Sequence, residues 1–146
     1  MNLFAKMNQQ ATLWIKDMMA ELGTTDGHKA MHALRAGLQS LRDRLSVDQA
    51  AQLSAQLPLI IRGMFFEGWD PSGTPLRIRH RAEFLALVRD KYAPREDLAA
   101  EDILRSLFRV LDRHIAAGEV GHLMVTLPED LTAIIGGRDL AENLDA

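Results

Sequence analysis

Asp26, His28 and His32 stand in a D-x-H-x-x-x-H spacing. Two histidines four apart share one helix face and can share a metal ion. No glutamate follows the first histidine, as metal-assisted hydrolysis would need, and no third ligand is evident. We therefore expect solvated helix histidines and no metal site. His114 and His122, in the other half, belong to no motif either. Residues 77–81 read RIRHR, so Arg77, Arg79, His80 and Arg81 gather four basic groups around one aliphatic residue. Such a segment can hold phosphate or an acidic partner. It lacks flanking aromatics on which bases would stack, since Phe84 falls on a core position. A solvated or salt-bridged segment is the plainer expectation, with anion binding as the alternative. Nucleophile settings are absent: there is no G-x-S-x-G, no phosphate-cradling glycine loop and no G-x-G-x-x-G. Glu129 and Asp130 are adjacent on a helix and diverge, and Gly136-Gly137 reads as a helix stop. We expect binding rather than catalysis, with no cofactor.

The chain holds two Trp, one Tyr and five Phe. Three of these fall together in FFEGW, as Phe65, Phe66 and Trp69. Large aromatics usually belong to cores. They also anchor protein interfaces, with arginine beside them. This leaves two expectations for Phe66 and Trp69: a cover over the seam between two halves, or a grip for a partner with Arg62 at its rim. Arg42 and Asp43 raise a different possibility, pairing with charges of the other half such as Asp112.

Composition limits the choices. With 146 residues, 47% hydrophobic and 25% charged, the chain suits one globular domain or two small halves around one core. A net charge of −3 does not favour nucleic acid or an anionic membrane. Without cysteine there are no disulfides or thiolate sites, as a reducing cytosol would suit. No apolar run is long enough for a signal peptide or a membrane span. We expect a cytoplasmic protein.

The elements that must position these residues are helical and repeated. LSAQLP (53–58) matches LMVTLP (123–128) at an offset of 70. The same offset, without gaps, sets Leu41 on Leu111, Arg35 on Arg105, Leu34 on Leu104, Trp14 on Phe84 and Phe65 on Ile135. Matched positions are mostly apolar and three or four apart, as core-facing helix positions are. One offset serving many such positions points to duplication. Helices are expected near 10–22, 27–45, 47–56 and 58–67, then 80–92, 97–116, 118–126 and 128–136. Gly23 stops the first, Asp26 and Ser46 are candidate N-caps, and Pro58 and Pro128 suit first turns. We expect an all-α fold: a first repeat (10–67), a linker ordered by turns (68–79), a second repeat (80–137) and an acidic tail (138–146), all in one domain.

LRDRL (41–45) and AQLPLIIRGMFFEGWDPSGTP (55–75), with the helical run before them, resemble the family catalogued as domain of unknown function 2267. The matching positions are Leu41, Arg42, Asp43, Arg44, Leu57, Pro58, Arg62, Gly63, Gly68, Trp69 and Pro71. The resemblance covers nearly the whole chain. It implies a small, cytosolic, all-helical, internally repeated bacterial protein with no established activity, and it brings no catalytic residues. Our expectation is an interaction module for a protein partner or a second copy, centred on Phe66, Trp69 and Arg62. The alternative is an anionic-ligand or nucleic-acid binder through Arg77, Arg79, His80 and Arg81.

Overall fold

The computed structural model describes residues 2–133 and 135. Among these every regular element is helical: α1 (Leu3–Leu22), α2 (Gly27–Arg44), α3 (Val47–Ser54), α4 (Leu59–Phe66), α5 (Arg81–Tyr92), α6 (Ala100–His114), α7 (Glu119–Met124) and α8 (Glu129–Thr132), with a short 3-10 turn at Pro71–Gly73. The expected acidic tail and the Gly136-Gly137 stop lie outside the described residues.

Local chemistry sets the helix ends. Gly23 adopts φ 68°, the left-handed conformation that glycine tolerates, and its N–H donates to carbonyls of the last turn of α1. The Asp26 side chain accepts from the N–H groups of His28 and Lys29 and so opens α2. Ser46 and Gln49 form a reciprocal capping box at α3. Pro58 and Pro128 stand as N-caps of α4 and α8. The expected boundaries within the described residues hold to within a few residues, with one large exception, while the expected end of the last helix at 136 lies outside them. α1 begins at Leu3, where the Asn2 side chain accepts from the Phe4 N–H.

The core explains that exception. Buried side chains from all eight helices form one apolar cluster, from Trp14 in α1 to Leu131 in α8. Burying each large side chain contributes roughly 1.5–3 kcal/mol. Leu3 and Phe4 lie outside this cluster and are exposed, so no buried stripe marks the first turns of α1. Phe65, Phe84 and Ile135 are fully buried, as their apolar spacing requires.

α2 packs against α1, α4, α5 and α6, and α6 packs in turn against α1 and α5. α2 meets α6 at Gly37, where a Cβ would stand 2.9 Å from Leu107 Cδ2. Three pairs of helix ends stand 70 apart: Leu22 and Tyr92, Arg44 and His114, Ser54 and Met124.

Candidate functional site

The break between α3 and α4 builds a cleft. Leu57 is buried below it, and Pro58 prevents α3 from running on into α4. One turn into α4, Arg62 reaches back. Its Nε donates to the Ser54 carbonyl at 2.9 Å and its Nη2 to the Leu57 carbonyl at 3.0 Å. These bonds give the Leu57 carbonyl a donor and the Ser54 carbonyl a second one beside the Leu57 N–H. α1 and the end of α6 form the facing wall. The His114 ring stacks on Trp14 with centroids 4.6 Å apart, and its Nε2 lies 2.6 Å from Asp17 Oδ2. Gln56 Oε1 accepts from the Ala116 N–H at 2.8 Å and ties the α3 end to the chain leaving α6. The open cleft between these walls has a volume of about 440 Å³.

Its surface has two characters. Leu13 and Leu59 line it while remaining 52% and 53% exposed, and Ile60 beside them is 41% exposed. The polar lining comes from Gln10, Gln56, Arg62 and His114, with no acidic residue among the lining side chains. Asp17, next to the lining residue His114, is engaged with it and has Arg113 Nη1 at 3.7 Å.

The far end of α4 carries the aromatic stretch. Phe66 meets Phe65 edge-on and Trp69 at a tilt, with centroids 5.0 Å apart in both cases. Phe66 and Trp69 are half-buried and pack against the core. Trp69 Nε1 is enclosed with no hydrogen-bond partner among the described residues. Arg42 fastens the backbone here. It is 2% exposed, donates Nη1 to the carbonyls of Phe65 and Glu67 at 2.9 Å each, and pairs with Asp43 at 2.8 Å. Gln39 adds a bond to the Met64 carbonyl at 2.9 Å. The expected pairing of Arg42 with Asp112 across the halves is therefore corrected. Arg42 is enclosed under the end of α4, whereas Asp112 is exposed. Asp43 pairs with Lys91 of α5, its Nζ at 2.9 Å.

The model of the family described as "Uncharacterized conserved protein (DUF2267)" matches residues 11–134. The chain belongs to this family. No curated protein matches it. The family description names no activity, so the DUF2267 chain must be read from its own side chains.

The basic segment of this DUF2267 protein joins the 3-10 turn to α5. Leu76 and Ile78 are half-buried, whereas Arg77, Arg79, His80 and Arg81 are exposed and make no ion pair among the described residues. The Arg81 N–H donates to Asp130 Oδ1 at 3.2 Å, which fixes the start of α5 against α8. None of Arg77, Arg79, His80 and Arg81 lines the cleft. Of the two expected histidines, His28 is exposed and His32 is half-buried with Nδ1 3.1 Å from Arg35 Nη2. Desolvation, followed by the Arg35 charge, lowers the His32 pKa and favours the neutral ring. No group of three or more metal-ligating side chains forms among the described residues, and no described helix is long and apolar enough to cross a membrane.

One polar cluster escaped the sequence reading. Tyr92 Oη donates to Asp97 Oδ1 at 2.6 Å, Arg95 pairs with Asp97 at 3.1 Å and with Asp26 at 3.5 Å, and Lys29 lies 3.6 Å from Asp97. Burial, then the bond to Asp97, pushes the Tyr92 pKa up to about 12. The Arg95 and Tyr92 hydrogen bonds hold Asp97 well below the usual carboxylate range. The cluster locks the α5–α6 connection onto the start of α2. The cleft was also missed, because residues near 13, 56–62 and 114 meet only through packing.

Proposed function

We propose that this protein works by binding, taking an apolar segment of a protein partner in the cleft between α1, the α3–α4 junction and the end of α6. The observation that carries the reading is an open cleft of about 440 Å³ between Leu13 and Leu59, each more than half exposed, with amide, guanidinium and imidazole groups beside them. An apolar centre with a polar rim is the usual anatomy of a protein interface. This keeps Arg62 in the expected interaction surface but moves its centre from Phe66 and Trp69 to the other end of α4. Packing against the core accounts for that aromatic pair as a cover over the end of α4.

The test is capture from native lysate with three baits: wild type, Leu13→Glu/Leu59→Glu, and Phe66→Ala/Trp69→Ala. Light scattering of each bait alone reports self-association. A partner kept by wild type and by the folded aromatic variant, but lost by the lip variant, supports the cleft. Equal retention by the lip variant refutes it.

A second reading has its own support. Arg77, Arg79, His80 and Arg81 are all exposed with no ion pair among the described residues, which suits an anionic ligand. Phosphate-led binding weakens steeply with salt, whereas apolar docking does not. We also propose that the chain is an internal duplication. The three pairs of helix ends 70 apart support this, as does Gly37 meeting Leu107, the residue at the same offset.

A further inference from the structure

We infer that the cleft recognises the C-terminal carboxylate of a protein partner whose last side chain is apolar. This rests on the cleft being the binding site and adds what it binds. The argument is an inventory of donors and acceptors. Gln56 spends its carbonyl oxygen on the Ala116 N–H, so both N–H groups of its Nε2 remain. Arg62 spends Nε and Nη2 on the end of α3, so Nη1 remains. His114 spends Nε2 on Asp17, so Nδ1 remains. None of these remaining groups has a partner among the described residues. The lining thus offers uncommitted amide and guanidinium donors, and no acidic side chain competes for them. A ligand group that supplies only acceptors and carries negative charge complements the Gln56 and Arg62 donors, and a carboxylate, with two oxygens that accept from guanidinium and amide N–H groups side by side, is such a group.

The apolar surface argues for a peptide end rather than a free acid. Leu13 and Leu59 form the lips, and Ile60 extends the apolar surface beyond the lining. A small acid filling the cleft would leave that surface wet. A chain that ends in the cleft and leaves across the lips would cover it.

The test uses three defined probes and nitrogen-15-labelled protein. One is a five-residue peptide ending in leucine with a free carboxylate. The second is the same peptide amidated at its C-terminus. The third is 4-methylpentanoate, which presents the acid on the leucine side chain without a peptide. The readout is the shift of the Gln56 side-chain NH2, Arg62 Nε–H and Leu59 backbone signals during titration. The expected result is saturable binding of the acid peptide, with the amide and 4-methylpentanoate each at least about tenfold weaker. Gln56→Glu keeps an acceptor for the Ala116 N–H but replaces the donors with charge. It should weaken the acid peptide at least about tenfold and leave the thermal midpoint within a few degrees. Should that variant fail to fold, the acid–amide ratio on wild type decides alone.

Equal affinity for acid and amide overturns carboxylate recognition. Equal affinity for 4-methylpentanoate overturns the peptide end in favour of a free acid. Shifts confined to residues 77–81 place acid binding on the basic segment and overturn the inference. No binding by any probe overturns it as well. In that last case the cleft reading stands if the lip variant still loses its captured partner, and falls if it does not.

Discussion

Leu13 and Leu59 form the lips of the cleft, and 70 positions further on the chain carries Glu83 and Glu129. The corner at Pro58 is half-buried and lined by Arg62, whereas Pro128 is buried and Thr132 follows it. The two regions share a helix–proline–helix joint over a buried leucine, Leu57 or Leu127. They differ in what they show to solvent. The second joint forms with acids at these positions, so the joint itself does not call for exposed leucines at the first. That contrast is the strongest argument that Leu13 and Leu59 serve something outside the fold.

The contrast extends inward, and there the expected effects are largest. Arg42 is enclosed and holds two carbonyls and Asp43, while Asp112, 70 positions later, is exposed. Removing one member of a buried charged network costs about 3–5 kcal/mol. Urea unfolding should show a loss of that order for Arg42→Met, and a change within about 0.5 kcal/mol for Asp112→Ala. Similar effects of the two would mean that Arg42 does not pin the end of α4 as described.

At the lips the comparison can be exchanged directly. Leu13→Glu/Leu59→Glu gives the first joint the acids of the second. Both leucines are more than half exposed, so unfolding should barely change, while partner affinity should fall at least about tenfold, or about 1.4 kcal/mol. A loss of stability as large as that of Arg42→Met would make the leucines part of the core and break the contrast.

Much of the fold was legible in the sequence. Gly23, Asp26, Ser46 and the two prolines carry local signals strong enough to place helix ends without any long-range contact. Apolar residues spaced by three and four identified the core side of each helix, Phe65 and Phe84 included. The early start of α1 was not legible, because Leu3 and Phe4 stay largely exposed and continue no stripe. Arg42 could not be separated from an exposed charge, since LRDRL looks alike on either face of a helix. The cleft has no motif, but the offset held a clue. At positions 13 and 59 leucine stands 70 residues before glutamate, a pattern that suits a surface position, and Leu13 and Leu59 are exposed.

Tyr92 and Leu22 sharpen the comparison at the helix ends. Leu22 packs partly buried against the core, whereas Tyr92 buries its ring and donates to Asp97. Loss of that hydroxyl in Tyr92→Phe should cost about 1 kcal/mol at neutral pH. The pH dependence has a definite sign. With a folded pKa raised to about 12 from 10, Tyr92 contributes its stability in full below pH 10. That contribution is lost as pH rises through about 12. Asp97, with its pKa lowered, contributes above its ordinary value, and that part fades as pH falls below about 4. Thermal midpoints from pH 8 to 12 should fall more steeply for wild type than for Tyr92→Phe. Parallel curves would show that the hydroxyl does not titrate from the buried site.

The smallest expected effect is the sharpest test of the two regions as counterparts. Asp43 reaches Lys91 at 2.9 Å, and Arg113 pairs with Glu21. Positions 43 and 113 differ by 70, as do 21 and 91, so the two bridges occupy matching places with their charges reversed. Either bridge needs only opposite charges across its helix pair, which is why the signs can differ while the contact remains. Partly exposed pairs of this kind contribute about 0.2–1 kcal/mol. The Asp43–Lys91 pair is the more enclosed, since Arg113 is nearly half exposed. Double-mutant cycles should therefore give a favourable coupling for both, larger for Asp43–Lys91. Reversing one bridge, with Asp43→Lys and Lys91→Glu together, should cost more at Asp43 than at Lys91. Asp43 also accepts from Arg42, and a lysine there would face a buried guanidinium. The same reversal at Arg113 and Glu21 meets like charges too, Asp17 beside position 113 and Arg109 beside position 21, but both are partly exposed, so it should recover more of its coupling. Equal costs for the two reversals would show that Arg42 does not distinguish the regions electrostatically, and the difference between them would then be confined to the surface.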